Sequence, residues 1–141
     1  MSKSARRKGG DGEREIARII RDQLGIECER NLEQARSGGC DLIIDGWAPE
    51  VKRAKRLELD AWWQQTRLQA EAADLRPVLL YRQDFRQWFA VVDANDLRPD
   101  IWPQRGMPVS MDLRAWLQWV REELNSEQHM CGERWLETGQ P

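Results

Sequence analysis

Residues 41–53 of this chain read Asp-Leu-Ile-Ile-Asp-Gly-Trp-Ala-Pro-Glu-Val-Lys-Arg. The stretch holds two short apolar runs with the dipeptide Asp45-Gly46 between them, which is a strong signal for a β-hairpin. Residues 42–44 form the first predicted strand, and a second runs from Ala48 to about Arg53. The hairpin therefore places the acid that precedes the first strand near the charged residues of the second.

Two charged residues on the second strand are predicted to act together. Side chains two positions apart on a strand face the same side, so Glu50 and Lys52 project together while Val51 points into the core. If Asp41 begins the neighbouring strand, two carboxylates and one ammonium group meet at one place. This is a minimal set of groups for metal-assisted attack on a phosphodiester.

The chemistry of such a site follows from its ligands. Carboxylate oxygens suit Mg²⁺ or Mn²⁺, and a divalent ion can acidify water and neutralise charge on a phosphate. Lys52 could hold the attacking water or stabilise the pentavalent phosphorus. The alternative is that Asp41 and Glu50 only cap a turn or face solvent, because short acid-acid-lysine patterns also arise by chance.

Composition indicates a single folded domain. The chain has 141 residues, of which 40% are hydrophobic and eight are tryptophan, enough for a real core. No segment approaches the ~20 apolar residues that cross a bilayer, and the basic N-terminus lacks the apolar part of a signal peptide. Three cysteines without a CxxC pair favour reduced thiols in a cytoplasmic protein and argue against a zinc ribbon.

Charge is distributed unevenly along the chain. The net charge is −2, which is unlike a typical nucleic-acid-binding protein, but residues 1–8 carry four cations and no acid. We expect residues 1–10 to be a basic flexible arm, which either contacts phosphates or is simply solvated. One domain is expected over residues 1–124, followed by a loosely ordered tail over 125–141.

Hydrophobic periodicity predicts an α/β fold. A helical stripe spans residues 11–24, a second helix spans 58–73, and a third begins near Ser110 or Asp112. Strands are predicted at residues 26–31, 42–44, 48–53, 77–81 and 88–92. The helix at 58–73 permits a parallel pair through a crossover, so we expect a mixed five-stranded sheet flanked by helices.

An ordered series of motifs over roughly residues 6–92 resembles a known family. The series consists of Lys8-Gly9, Glu13-Arg14-Glu15, Arg30, Ser37, Asp41, Glu50-x-Lys52, Pro77-Val78 and Arg82. It resembles the archaeal-type Holliday junction resolvases, which are nucleases of the PD-(D/E)xK superfamily. The resemblance implies a restriction-endonuclease-like fold with an extra C-terminal helix. The chain departs from the family pattern at Cys40, where a proline is usual, and at Arg82, where a lysine is expected.

The resemblance also implies roles for individual residues. The catalytic set would be Glu13, Asp41, Glu50 and Lys52, with Asp41 and Glu50 binding Mg²⁺ (Mn²⁺ as a substitute) and Glu13 reaching the ion directly or through water. Val51 is included in the metal site. Phosphate contacts are expected from Lys8, Arg14, Arg30, Ser37 and Arg82. Glu13 could instead serve only the helix dipole.

A basic run directly follows the proposed site. Arg53, Lys55 and Arg56 are candidates for DNA contact because they adjoin Glu50 and Lys52, although a charge run is more often a solvated face. The leading hypothesis is a homodimeric, metal-dependent endonuclease acting on branched DNA such as a four-way junction. Alternatives are another PD-(D/E)xK nuclease (restriction-like, exonuclease or nickase) or a catalytically silent DNA-binding module.

Overall fold

The protein is represented by a computed structural model that describes residues 3–26, 44 and 46–138, with side chains over 10–26, 44 and 46–127. Its elements in chain order are α1 (Lys3–Leu24), β1 (Trp47–Ala54), α2 (Leu59–Ala72), β2 (Arg76–Gln83), β3 (Phe89–Asp93), α3 (Ala94–Leu97), β4 (Pro108–Asp112) and α4 (Leu113–Thr138).

The four described strands form one mixed sheet in the order β1-β2-β3-β4. β1 and β2 are parallel, as the crossover through α2 requires, and β2 pairs with β3 and β3 with β4 in antiparallel fashion. The larger core contains buried residues of α1, α4 and one face of the sheet, among them Ile16, Ile20, Val51, Val78, Leu80 and Trp116. A smaller cluster joins α2 to the opposite face through Trp62, Leu79, Tyr81 and Val91.

The turn before β1 supports the hairpin predicted at Asp45-Gly46. The backbone N–H of Trp47 donates to the carbonyl oxygen of Ile44 at 2.8 Å, and the N–H of Ile44 donates to Trp47 at 3.5 Å. Gly46 has φ 76°, a conformation that glycine adopts without steric cost. The rest of the strand predicted at 42–44, and nearly all of the one predicted at 26–31, lie outside the described residues.

Helix α1 packs closely across β1 at Gly12. A Cβ atom placed on Gly12 would lie 3.4 Å from Cβ of Arg53 and 3.6 Å from Cγ1 of Val51. These distances are ordinary van der Waals contacts, so the space between helix and strand holds a methyl group but not a larger side chain. This crossing fixes where the residues that follow Gly12 stand relative to β1.

The sheet differs from the sequence prediction at β4. Five strands were predicted, whereas the described residues contain four, and one of these, Pro108–Asp112, was not predicted. Only alternate residues of β4 are partly buried, because it is the terminal strand of the described sheet and packs through Val109 and Met111. Pro108 precedes Val109, and Ser110 lies between Val109 and Met111. Because proline and serine are common in turns, the sequence of this segment resembles a turn.

The terminal helices also extend further than the periodicity indicated. Helix α1 begins at Lys3, within the stretch expected to be a flexible arm, and α4 continues to Thr138, through the stretch expected to be a loose tail. Residues 3–8 are mostly Lys, Arg and Ala, and residues 125–138 include Glu, Gln, Arg, Met and Leu, which favour helix without needing an apolar stripe. Asp112 caps α4 as predicted, since its Oδ1 accepts from the N–H of Arg114 at 2.7 Å.

None of the helices in the described part of the chain is both long and apolar enough to traverse a lipid bilayer.

Candidate active site

Glu50 and Lys52 form an ion pair in the middle of β1. The Nζ atom of Lys52 lies 3.3 Å from Oε1 of Glu50. Glu50 is only 4% exposed, whereas the Lys52 side chain is 28% exposed. The ion pair therefore joins a buried carboxylate to a side chain that is partly exposed to solvent. A carboxylate is costly to bury without a partner, and Lys52 supplies one. The predicted juxtaposition of these two residues is therefore present.

Strand alternation separates this pair from its neighbour Val51. Val51 belongs to the core beneath α1 and α4, as the sequence predicted for its side chain. Glu50 is in register with Leu79 and Lys52 with Tyr81, and both of these partners pack on the α2 side of the sheet. A valine side chain has no atom that can bind a metal. Val51 could therefore contribute to a metal site only through its main chain.

Glu13 is the second buried carboxylate of the predicted set. It is 8% exposed and follows Gly12, the residue at which α1 abuts β1. An acid that served only the helix dipole would stand in the first turn, but α1 begins at Lys3, so Glu13 lies well inside the helix. A role that serves only the helix dipole is therefore not supported, and a role of Glu13 in the metal site stays a prediction.

Carboxylates at this position suit a hard divalent cation. Glu13 and Glu50 offer oxygen donors, which Mg²⁺ prefers together with retained waters. Within residues 10–26, 44 and 46–127, no three His, Cys, Asp or Glu side chains are grouped closely enough to hold a metal ion. Asp41, the third predicted acid, lies outside the described residues. Each acid has the donor chemistry of a Mg²⁺ ligand, but Glu13 stands on α1, which packs on the Val51 face of β1, whereas Glu50 projects to the α2 face. Their union in one site with Asp41 stays a prediction.

Six of the eight predicted phosphate contacts lie outside the described side chains or at exposed positions. Arg30 and Ser37 lie outside the described residues, and Lys8 is on α1 with its side chain undescribed. Lys55 and Arg56 follow β1 and are exposed. Arg14 is exposed and forms a 3.0 Å ion pair with Asp11.

A basic hollow lies between α1 and the end of β1. Arg14, Arg18 and Arg53 line it together with two acids, and its volume is about 460 Å³. Arg18 was not identified from the sequence, although it stands four residues after Arg14 and thus on the same helix face. The hollow brings two predicted phosphate-contact residues together and adds a third cation to them.

Arg82 has an internal partner that the sequence did not reveal. Its Nη1 atom donates to both carboxylate oxygens of Glu15, at 2.8 and 3.1 Å, and the indole N–H of Trp88 donates to the same carboxylate at 3.1 Å. The three residues join α1 to β2 and to the segment before β3. Their separation along the chain is too large for any local pattern to indicate the network, which gives Arg82 a structural role beside the predicted DNA contact.

Comparison with known proteins identifies a family for the chain. The model of the family described as "Phage putative PDDEXK endonuclease" matches residues 4–133. The chain belongs to this family, whose name denotes nucleases with the acid-acid-lysine motif. The family match thereby supports the superfamily that the motif order indicated, without identifying it as a junction resolvase.

One curated relative has a similar sequence. Protein D14 of Escherichia phage T5 is 27% identical over 120 residues, which cover 68% of this chain and 75% of that protein. No solved structure matches the chain significantly.

Proposed function

We propose that the protein is a divalent-metal-dependent DNA endonuclease whose reacting centre is built around Glu50 and Lys52. The observation that carries the proposal is the buried Glu50 carboxylate paired with Lys52 at 3.3 Å on strand β1. Membership of a PDDEXK endonuclease family makes a phosphodiester of DNA the natural substrate of such a pair.

Each residue has a distinct role in this proposal. Glu50, Asp41 and Glu13 would hold Mg²⁺ or Mn²⁺, with the main chain of Val51 as a further donor. The ion would supply Lewis acidity toward phosphate and water. Lys52, with its partly exposed ammonium group, would orient the attacking water and stabilise the negative charge that develops on the phosphate oxygens.

The substrate we propose is branched DNA, with the four-way junction as the leading candidate. Support comes from the ordered motifs between Lys8 and Arg82, which resemble junction resolvases in sequence and spacing. Action as a homodimer in the cytoplasm belongs to the same proposal, since two sites related by symmetry could cut two strands of a junction. Arg14, Arg18 and Arg53, which share one hollow, would contact the DNA backbone near the site.

A side-by-side cleavage assay tests both the nuclease activity and the preference for branched DNA. Purified protein is incubated with a four-way junction, a flap, a nicked duplex and a linear duplex, each with Mg²⁺, Mn²⁺ or EDTA. We expect metal-dependent cleavage that is fastest on the junction. Preference for linear ends would reject the resolvase role while leaving the nuclease role intact.

Variants assign the site in the same assay. Glu50→Gln and Asp41→Ala should abolish cleavage without loss of folding, and Asp60→Asn, which alters an exposed acid on α2, should cleave normally. Unchanged cutting by either site variant would reject the residue assignment. Binding of DNA without cleavage of any substrate would favour a silent DNA-binding module.

A further inference from the structure

Phe85 occupies an unusual position at the tip of the turn between β2 and β3. Its side chain is 97% exposed, and its backbone has φ 66°. The N–H of Arg86 donates to the carbonyl oxygen of Gln83 at 2.9 Å, which closes a four-residue turn with Phe85 at its third position. A large apolar side chain is thus held in water at the end of a tight turn.

The backbone conformation makes the choice of phenylalanine costly. A positive φ at the third residue of a turn is normally supplied by glycine or asparagine, and a bulky residue there is a true outlier. Asp74, the other described non-glycine residue with positive φ, is of a type that tolerates it. Glycine at position 85 would therefore favour the folded state more than phenylalanine does. Backbone strain of this kind is characteristic of functional positions.

A shallow concavity beside Phe85 has an aromatic floor. Tyr81 and Phe89 stack with their ring centroids 5.6 Å apart and their planes at 24°. Together with Leu57 and Phe85 they line a hollow of about 470 Å³. Its lining combines the aromatic rings with the polar side chains of Gln83, Arg86 and Gln87, which suits a planar aromatic group that also has hydrogen-bonding edges.

The concavity adjoins the proposed reacting centre. Tyr81 is the register partner of Lys52 in β1, and Phe89 is the register partner of Tyr81 in β3. Neighbouring strands lie about 4.8 Å apart, so Lys52 and Phe89 are separated by about 10 Å across the sheet. A nucleotide whose base lay on the aromatic floor would have its backbone near Lys52.

One cation lines the concavity, and two more directly precede Leu57 in the chain. Arg86 lines the concavity itself, and Lys55 and Arg56 are exposed at the end of the adjacent strand β1. The side chain of Gln83, which also lines the concavity, donates to the carbonyl oxygen of Lys55 at 3.1 Å and ties this segment to β2. Aromatic surface next to backbone-binding cations is the general mode of single-strand recognition.

We propose that the concavity formed by Leu57, Tyr81, Phe85 and Phe89 binds one unstacked DNA base, with Phe85 acting as the wedge that keeps it out of the helix. This inference rests on the proposed function only in taking DNA as the partner. Such a site selects DNA that already offers an unpaired or weakly stacked base, as a branch point or flap does, because extracting a base from an intact duplex costs free energy.

Binding assays in EDTA test the inference independently of cleavage. The probes are a junction or flap with 2-aminopurine at the branch point and a matched plain duplex. For the Phe85→Ala protein, we expect affinity for the branched probe to fall about tenfold, as loss of one stacked base predicts, with little change for the duplex. The change in 2-aminopurine fluorescence on binding should disappear, and Phe85→Trp should retain both properties.

Phe85→Gly separates a binding role from a structural one. Glycine relieves the backbone strain, so this variant should melt at the same temperature as the parent or higher while it loses the branched-probe preference. Leu68→Ala, at an exposed apolar residue on α2, is the matched control and should bind normally.

Equal affinities of the parent, Phe85→Ala and Phe85→Gly for the branched probe would overturn the inference, as would a uniform loss on both probes. Failure of the parent to cleave any DNA in Mg²⁺ would instead count against the proposed nuclease function, because the base-binding readouts need no cleavage.

Discussion

Lys52 and Glu50 place a partly exposed ammonium group 3.3 Å from a buried carboxylate on the same face of β1. Charges interact more strongly where water is excluded, so the pair is more tightly coupled than a surface ion pair. One member is shielded by the protein and the other is partly exposed to solvent. This difference in exposure suits a site in which the acid binds a cation and the lysine contacts the phosphate.

Replacement of Lys52 should affect catalysis far more than folding. In Lys52→Met we expect cleavage to slow by about 10²–10³-fold, as for removal of one transition-state donor. Stability should fall by about 1–3 kcal/mol because Glu50 keeps its burial and loses a charged partner. Initial rates and urea unfolding measure the two effects. Arg67→Met, at an exposed cation on α2, should change the cleavage rate little; equal losses in both variants would count against a specific role for Lys52.

Metal binding should stabilise the folded protein through Glu50. A cation that binds only the native state at a hundred times its Kd adds about 2.7 kcal/mol of stability. We therefore expect Mg²⁺ to raise the melting temperature by several degrees, as monitored by circular dichroism without DNA. Glu50→Gln should abolish the shift, and Asp60→Asn should keep it. A full shift in Glu50→Gln would place the ion elsewhere.

The close approach of α1 to β1 predicts opposite effects for two substitutions of Gly12. A Cβ atom at this position would make ordinary contacts, at 3.4 Å from Trp88 and 3.6 Å from Val51. Gly12→Ala should therefore stabilise the protein by about 0.5–1 kcal/mol through helix propensity.

Gly12→Leu has no space for the rest of its side chain and should destabilise by about 1–3 kcal/mol. Thermal unfolding of the two variants and of the parent measures both the expected gain and the expected loss of stability. Destabilisation by alanine as well would show that the helix and strand lie closer together than these distances indicate.

The network of Glu15, Arg82 and Trp88 should contribute to stability. Its hydrogen bonds, at 2.8–3.1 Å, are partly buried, and bonds of that kind to charged groups are worth about 1.5–3 kcal/mol. Glu15→Gln and Arg82→Met should each unfold at lower urea concentration than the parent. In the double variant the two losses should be less than additive, because each single change already breaks the same contact.

Asp22→Asn is a matched control, because Asp22 is an exposed acid on the same helix, and it should unfold like the parent. Strictly additive losses for Glu15 and Arg82 would contradict the coupling. A fall in DNA affinity for Arg82→Met that exceeds that for Arg14→Met would show that Arg82 also serves the substrate directly.

Local patterns were sufficient where neighbouring residues decide the outcome. The alternation Glu50-Val51-Lys52 gave the faces of β1, the Asp45-Gly46 dipeptide gave the turn closed by Ile44 and Trp47, and the apolar stripe of residues 59–72 gave α2. The family match likewise supports the superfamily that the motif order indicated. Strand β4 was missed because its alternation is short and interrupted by turn-like residues.

The sequence by itself determined the parts of this protein that depend on short-range geometry: a hairpin, an acid-x-lysine pair on one face of a strand, and a crossover helix that makes β1 and β2 parallel. Only the tertiary structure decided that Glu15 engages Arg82 across 67 positions, that α1 meets β1 at Gly12, and that Phe85 stands exposed beside an aromatic floor. These relationships depend on how distant elements pack together, and packing geometry is not encoded in any local periodicity.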